Sequence, residues 1–300
     1  MNILLAMIPS FFWGTTYAVT QFTLTDWPPL LLGALRALPA GLLLLMIKPT
    51  LPSKGEWKVL LILGAINIAT FFALIFVMAL TLPSAISGVG MVSVPVFAML
   101  FHWIKNKHRP SFIQGICGGA LILLAWMLFD PSSISLNPIG LMAMLAAISC
   151  IVVGSAITKS LGTRMHWWKI LTWQLILGGV ILSVVASFHA FIEPVKYADA
   201  LQHFSIRNLL GLSWVAVLNT ALGYGLYVWL LQRMTVVDFT FGGIANPVAG
   251  IVSGLILLGE NFTLMQYTLM AGMILMSLLP QVLVAIKQSK AKSTIISNNA

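Results

Sequence analysis

Arg36 is the one Lys or Arg well inside an apolar run of this 300-residue chain, in the stretch LLLGALRALPAGLLLL. It lies about six residues past one end of that run, roughly 9 Å deep at 1.5 Å per residue. A guanidinium at such depth in hydrocarbon costs at least ~2.5–3.5 kcal/mol on insertion scales and usually faces a cavity or a partner. Two roles fit it. One is a ligand or counter-ion site within a helix bundle. The other is a snorkelling or carbonyl-bonded arginine that fixes helix packing. Amphipathic and neutral polar residues interrupt other apolar runs: Trp13, Thr15, Thr16 and Tyr17; Asn67; Trp173 and Gln174; Asn219, Tyr224 and Tyr227; Asn246. Trp13 and Tyr17 are four apart, and Tyr224 and Tyr227 three apart, so each pair shares a helix face. Any one of these polar groups must find a partner, across a helix interface or in a wet cavity. As a collection, rings with hydroxyls and amides suit small amphipathic molecules. They suit bare ions poorly. The expected substrate-binding set is Trp13, Tyr17, Arg36, Asn67, Gln174, Asn219, Tyr224 and Asn246.

Catalytic chemistry finds little to work with. No Asp or Glu falls inside an apolar run; Asp238 and Glu260 stand at edges. Clustered carboxylates for a divalent cation are therefore missing, as is a His/Cys set with metal spacing. Ser93 and His102 are about 13 Å apart along one helix, too far to touch, although a partner from another helix stays open. Cys117 and Cys150 sit in apolar runs and support neither a disulfide framework nor a metal site. No catalytic residue, metal or cofactor is expected.

The elements that must position these residues follow from composition. The chain is 59% hydrophobic and 8% charged, against about 25% charged in a soluble domain. That excludes a cytosolic enzyme, a nucleic-acid binder and a disordered chain, and points to a bilayer as solvent. A spanning helix needs about 20 mostly apolar residues. Ten runs qualify: 3–22, 29–48, 58–79, 85–104, 111–129, 138–158, 169–189, 208–231, 239–258 and 263–286. The opening MNILLAMIPSFFWG has no Lys or Arg before its apolar stretch, so it reads as a first helix and not a cleaved signal peptide. The longest polar stretch is 190–207, which leaves one membrane domain. The net charge is +9, and the basic residues are segregated. Connections after the even-numbered runs, with the C-terminal tail, hold 13 Lys and Arg; those after the odd-numbered runs hold only Lys196 and Arg207. This positive-inside pattern puts both termini in the cytoplasm, and the excess charge reports topology, not a nucleic-acid partner.

An internal repeat is visible. A shift of 152 brings Pro95 onto Pro247, Ser111 onto Thr263 and Gln114 onto Gln266; a shift of 138 brings Arg36 onto Gln174. Halves of 1–135 and 136–300 then carry five helices each, and an odd number requires the second half to enter inverted. Chance alignment of Leu-rich helices is the competing explanation. Gly88, Gly90 and Pro95 in the fourth run, and Gly242, Gly243, Pro247, Gly250 and Gly254 in the ninth, predict matched mid-helix kinks. The alternative for the glycines is ordinary close packing.

The stretches FFWGTTYAVTQFTLTDWPPLLLGALRALPAGLLLL (11–45) and NPVAGIVSGLILLGENFTLMQYTLMAGMIL (246–275) resemble the EamA family of the drug/metabolite transporter superfamily, and within it the PecM-like members. The first carries a Trp-Gly, a Pro-Pro turn and the arginine. The second carries a proline followed by Leu-Gly-Glu, Thr, Gln and Gly. The resemblance spans nearly the whole chain and implies a ten-helix basket around a central cavity. By position, Trp13, Gly14, Arg36, Pro95, Pro247, Gly259 and Glu260 match the family pattern; hinge or gate positions are expected at Gly14, Pro95, Pro247 and Glu260. Two departures count against symmetric charged gates: His108 stands where the first half would carry the glutamate, and Gln174 where the second would carry the arginine.

The expected protein is all-α and integral to the membrane, with ten transmembrane helices as two inverted five-helix repeats around a central cavity. It is expected to be a secondary transporter that exports small organic metabolites or drugs by alternating access from a bacterial inner membrane. Import by the same fold is the alternative. A membrane enzyme or signalling subunit would need a reactive cluster or a sizeable loop domain. Expected partners are a small organic substrate and the lipid bilayer, with no nucleic acid, in a monomer or homodimer.

Overall fold

The computed structural model describes residues 3–107, 109–129, 135–161, 164–231 and 242–298. His108, Asp130, Arg233, Asp238 and residues 239–241 of the ninth run lie outside these. In hydrocarbon a backbone must satisfy its own amides, and the apolar runs do so as helices, with no strand among the described residues. We number them α1 (Ile3–Thr23), α2 (Pro29–Ile47), α3 (Trp57–Leu63, Gly64–Thr70 and Phe71–Thr81 in continuity), α4 (Ser84–Gly90, Met91–Ser93 and Val94–Asn106), α5 (Phe112–Leu128), α6 (Pro138–Leu161), α7 (Trp167–Ile192), α8 (Ile206–Ser213, Trp214–Leu222 and Gly223–Leu231), α9 (Ala245–Leu258) and α10 (Leu264–Asn298). Six of them, α2, α3, α4, α6, α7 and α8, are long and apolar enough to cross a bilayer; Phe112–Leu128, Ala245–Leu258 and Leu264–Pro280 are apolar but shorter. The polar stretch 190–207, expected as a loop, folds a short helix, Pro194–Gln202. Pro194 opens it at a position where a missing N–H costs nothing.

The distribution of side chains is that of a protein in lipid. Trp126, Phe188, Phe191 and Ile256 stand exposed, whereas Arg36, Asn67, Gln174, Asn219 and Thr220 are buried. An exterior so apolar would aggregate in water. Helix α2 packs along α7, α1 along α9, α3 against α6 and α7, and α5 against α10; α8 rests on α1 and α2. Glycines let helices approach closely at several of these contacts, two of them around α9. Gly14 lies against the Asn246 carbonyl, and a Cβ on Gly88 would stand 3.3 Å from the Gly250 Cα.

Three local features set the site. First, α3 and α8 each carry a π-helical stretch, Gly64–Thr70 and Trp214–Leu222. Such i→i+5 segments occur often at functional sites. Asn67 lies in one and Asn219 in the other, 152 positions apart, the same offset as Pro95 and Pro247. Second, the expected mid-helix kinks are helix restarts. Met91–Ser93 is a 3-10 turn, and Pro95 follows as the second residue of a new α-helical piece. Pro247 is the third residue of α9, just after a turn at Ile244. Both prolines thus sit in a first turn, where the lost N–H would be unpaired anyway. Third, Ser111 and Thr263 form matching helix caps: each backbone N–H donates to a glutamine three residues on, Gln114 at 2.9 Å and Gln266 at 2.8 Å, and each hydroxyl accepts in return.

Candidate functional site

A cavity of about 620 Å³ lies among α1, α2, α3, α4, α6, α7, α8 and α9. Of the expected substrate-binding residues it gathers Trp13, Tyr17, Arg36, Asn67, Gln174, Tyr224 and Asn246 on one wall system. Asn219 does not join them. It is fully buried behind the wall, where its Nδ2 donates to Thr16 Oγ1 at 2.7 Å and its carbonyl accepts the Trp13 indole N–H at 2.8 Å. It therefore holds the lining in place without being part of it. Gly223 leaves the space the indole fills, since a Cβ there would stand 3.0 Å from Trp13 Nε1. The indole packs 5.0 Å, centroid to centroid, from both Tyr224 and Tyr227. Tilted aromatic contacts of this kind contribute about 0.5–1.5 kcal/mol each beyond area burial, so the three rings, with the tyrosines inclined at 56° and 51° to the indole, form a fixed aromatic cradle.

Arg36 is 3% exposed. Its Nε donates to Thr220 Oγ1 at 2.9 Å, and that hydroxyl donates in turn to the Val215 carbonyl at 2.8 Å. The second bond runs five residues back, in the register of the π-helical stretch. The guanidinium carbon lies 4.2 Å from the Phe72 ring centroid and 5.9 Å from that of Phe76. Desolvated cation–π contacts are worth about 2 kcal/mol, less than the cost of isolating the charge. Neither Thr220 nor Phe72 was expected from the sequence: a threonine and a phenylalanine in apolar runs carry no signal of type, and only the π-helical register turns Thr220 to Arg36. Across the bundle, Asn67 Nδ2 donates to Gln174 Oε1 at 2.9 Å.

The cavity reaches the face that bears the basic residues, where Lys159 and Trp167 line it. The opposite side is closed. Gln21 Nε2 donates to the Ala79 and Leu82 carbonyls, and Leu24, Trp27, Leu32, Phe76 and Val215 pack together. Beyond that plug, Asp26, Lys196, Asp199, His203 and Arg207 surround a polar hollow of about 1090 Å³. Glu260 helps to close the same side. Gly259 takes φ +66° and caps α9 in the left-handed conformation glycine favours, which folds Glu260 back onto α4. The Ser84 and Ala85 N–H groups donate to its two oxygens at 2.5 and 3.0 Å. Burial raises the Glu260 carboxyl above the usual carboxylate range, against the pull of these amides. Pro95 and Pro247 line a separate cleft of about 240 Å³, together with Met91 and Asn246, which also face the main cavity. Gly14 lies at the α1–α9 contact. Among the described residues, no three His, Cys, Asp or Glu side chains stand close enough to share a metal ion.

Comparison with known proteins bears directly on such a cavity. The sequence profile of the EamA-like transporter family matches residues 1–129 and 138–279. Protein PecM of Dickeya dadantii is 29% identical over 84% of this chain and 82% of its own length. A probable amino-acid metabolite efflux pump of Salmonella typhimurium is 25% identical over 90% of both chains. The inner membrane transporter YedA of Escherichia coli is 25% identical over 85% of this chain and 82% of its own. Among solved structures, a crystal structure shares the fold, with a TM-score of 0.59 over 95% of this chain and 98% of the other at 15% identity.

Proposed function

The chain belongs to the EamA-like transporter family, and on that premise we propose that this multi-pass inner membrane transporter exports small organic metabolites or drugs by alternating access. The observation that carries the proposal is the cavity of about 620 Å³, open towards the basic face and plugged on the other. A carrier caught between exposures has this form: one route to the site, one barrier, and a site whose lining is apolar rings with a few polar groups. In this reading all ten apolar runs cross the bilayer and both termini are cytoplasmic, so the cavity faces the cytoplasm and is loaded for export. The efflux function named for the Salmonella relative supports the direction.

The same reading divides the chain into inverted repeats, 1–135 and 136–300. Four matches at an offset of 152 support it: Asn67 with Asn219, Pro95 with Pro247, Ser111 with Thr263 and Gln114 with Gln266. They share π-helical stretches, helix restarts and caps as well as residue type. Rocking of one repeat against the other exposes a site at their interface to each side in turn. Gly14, Pro95, Pro247 and Glu260 sit where such movement bends or unclasps the bundle.

Purified protein in liposomes, supplied with a panel of labelled amphipathic metabolites and drugs, tests this. Wild type moves at least one compound faster than empty liposomes. Trp13→Ala, which removes the central ring and its bond to the Asn219 carbonyl, slows that movement by about tenfold or more, as the loss of 1–2 kcal/mol of site structure requires. A panel on which wild type and empty liposomes are indistinguishable ends the proposal.

A further inference from the structure

The substrate class follows from the charge of this same cavity, and the inference rests on the transporter reading. Arg36 lies on the cavity wall with 3% of its surface exposed. The acids among the described residues are Asp26, Glu56, Glu193, Asp199 and Glu260, and all lie in connections or in the short helix Pro194–Gln202. None of these is paired with Arg36: the salt bridges among the described residues are Lys169 with Glu56 and Lys196 with Glu193. Thr220 and Phe72 orient the guanidinium without neutralising it. A charge held out of water needs an opposite charge or it destabilises the fold. Packing alone does not require one here. At the matching place in the second half, Gln174 closes the same kind of helix joint with a neutral amide bonded to Asn67.

We infer that the cavity binds organic monoanions, a carboxylate or sulfonate on a flat apolar body. Arg36 receives the anionic group as a charge-assisted hydrogen-bond donor. The face made by Trp13, Tyr224 and Tyr227 receives the ring. A monoanion brings the site to neutrality. A cation or a neutral molecule leaves Arg36 uncompensated, and a phosphate dianion replaces its positive charge with a negative one. Lys159, exposed where the cavity meets the basic face, adds a second attraction for anions at the entrance. The inference also supplies a driving force. No carboxylate among the described residues lies within the helices that line the cavity, so the substrate carries the charge that moves. A membrane potential of 100 mV, inside negative, sustains about a fiftyfold outward gradient of a monovalent anion.

Thermal unfolding and titration of purified protein test the site with 3-phenylpropionate and 2-naphthoate, each beside its neutral amide. In wild type the acids raise Tm and bind about tenfold or more tightly than the amides, the ratio expected of one hydrogen bond to a charged group. Arg36→Lys keeps the preference for acid and Arg36→Gln abolishes it. Thr220→Val, which keeps the charge but frees its anchor, retains the preference with weaker binding, and it decides the matter with Arg36→Lys if Arg36→Gln does not fold. Equal binding of acid and amide overturns the inference. So does the failure of either acid to stabilise wild type, loss of the preference in both Arg36→Lys and Thr220→Val, or an unchanged preference in folded Arg36→Gln. In liposomes, an inside-negative potential accelerates outward movement of the acids. Binding without any movement sinks the transporter reading and spares the site; movement of neutral compounds at equal rates in wild type and Arg36→Gln sinks the anion class and spares the transporter.

Discussion

The joint between Arg36 and Thr220 and the joint between Gln174 and Asn67 are built alike and finish differently. In each, a polar residue of a glycine-bearing helix, α2 or α7, bonds at 2.9 Å to a π-helical stretch, of α8 or α3. Each lies beside the cavity and is buried. The amide pair is neutral, and one bond between its members ties the two helices. The guanidinium uses one N–H to tie its helices and retains a full charge. A helix joint in the bundle interior therefore needs only one hydrogen bond; whatever exceeds that is available to a ligand. On the reading proposed above, Gln174 and Asn67 chiefly tie helices and Arg36 also meets the ligand, and all three line the cavity.

Four substitutions, in three tests, break or sharpen that assignment. The largest effect is expected from Gln174→Arg. It makes the neutral joint charged where no second anion arrives, so an uncompensated buried cation costs about 3–5 kcal/mol. Size-exclusion profiles and Tm in detergent report it as loss of folded protein, and a stable, monodisperse variant would contradict the comparison. Next come Asn67→Leu and Gln174→Leu. Each orphans a buried amide and lowers stability by about 1–3 kcal/mol, while the double variant is less damaged than the sum, with a coupling of about 0.6–1.7 kcal/mol, the range for polar pairs between membrane helices. Simple additivity in the double-mutant cycle shows that the two side chains are independent. The smallest effect belongs to a joint at the rim. Lys169 Nζ lies 3.0 Å from Glu56, where the Ser53 N–H and then this ammonium hold the Glu56 carboxyl below the usual carboxylate range. A depressed carboxyl stabilises the fold above its unfolded pKa, and the contribution is lost as pH falls through the folded value. Glu56→Gln thus shifts Tm only slightly at pH 7, as for other partly exposed pairs worth about 0–1 kcal/mol, and wild type and variant converge in acid below the ordinary carboxylate range. A difference that grows on acidification contradicts it.

Much of this is legible in the sequence. The basic residues cannot enter lipid and the apolar runs cannot avoid helices, so runs such as 29–48 and 3–22 fall within a residue of α2 and α1. Arg36 stood out for the same reason, because a lone charge in hydrocarbon has no trivial role. What sequence could not carry was register. Consecutive residues Asn219 and Thr220 have different fates, one behind the wall and one at the guanidinium, and the π-helical register that orients both is not marked by residue type. The prolines lie inside long apolar runs and so predict kinks; that the helix restarts just before each depends on backbone turns at Met91–Ser93 and Ile244. The short helix Pro194–Gln202 was hidden for the converse reason, since a polar amphipathic segment of nine residues resembles a loop in composition.

The clasp of Glu260 on Ser84 joins residues 176 apart in the chain. During synthesis at about 5–20 residues per second, roughly 9–35 s separate the appearance of those two residues. Through that interval the first amides of α4 lack the carboxylate that caps them in the finished protein. The fourth helix is thus completed by the ninth connection, and a chain released early, after any of the helices between, carries an uncapped helix end for quality control to detect.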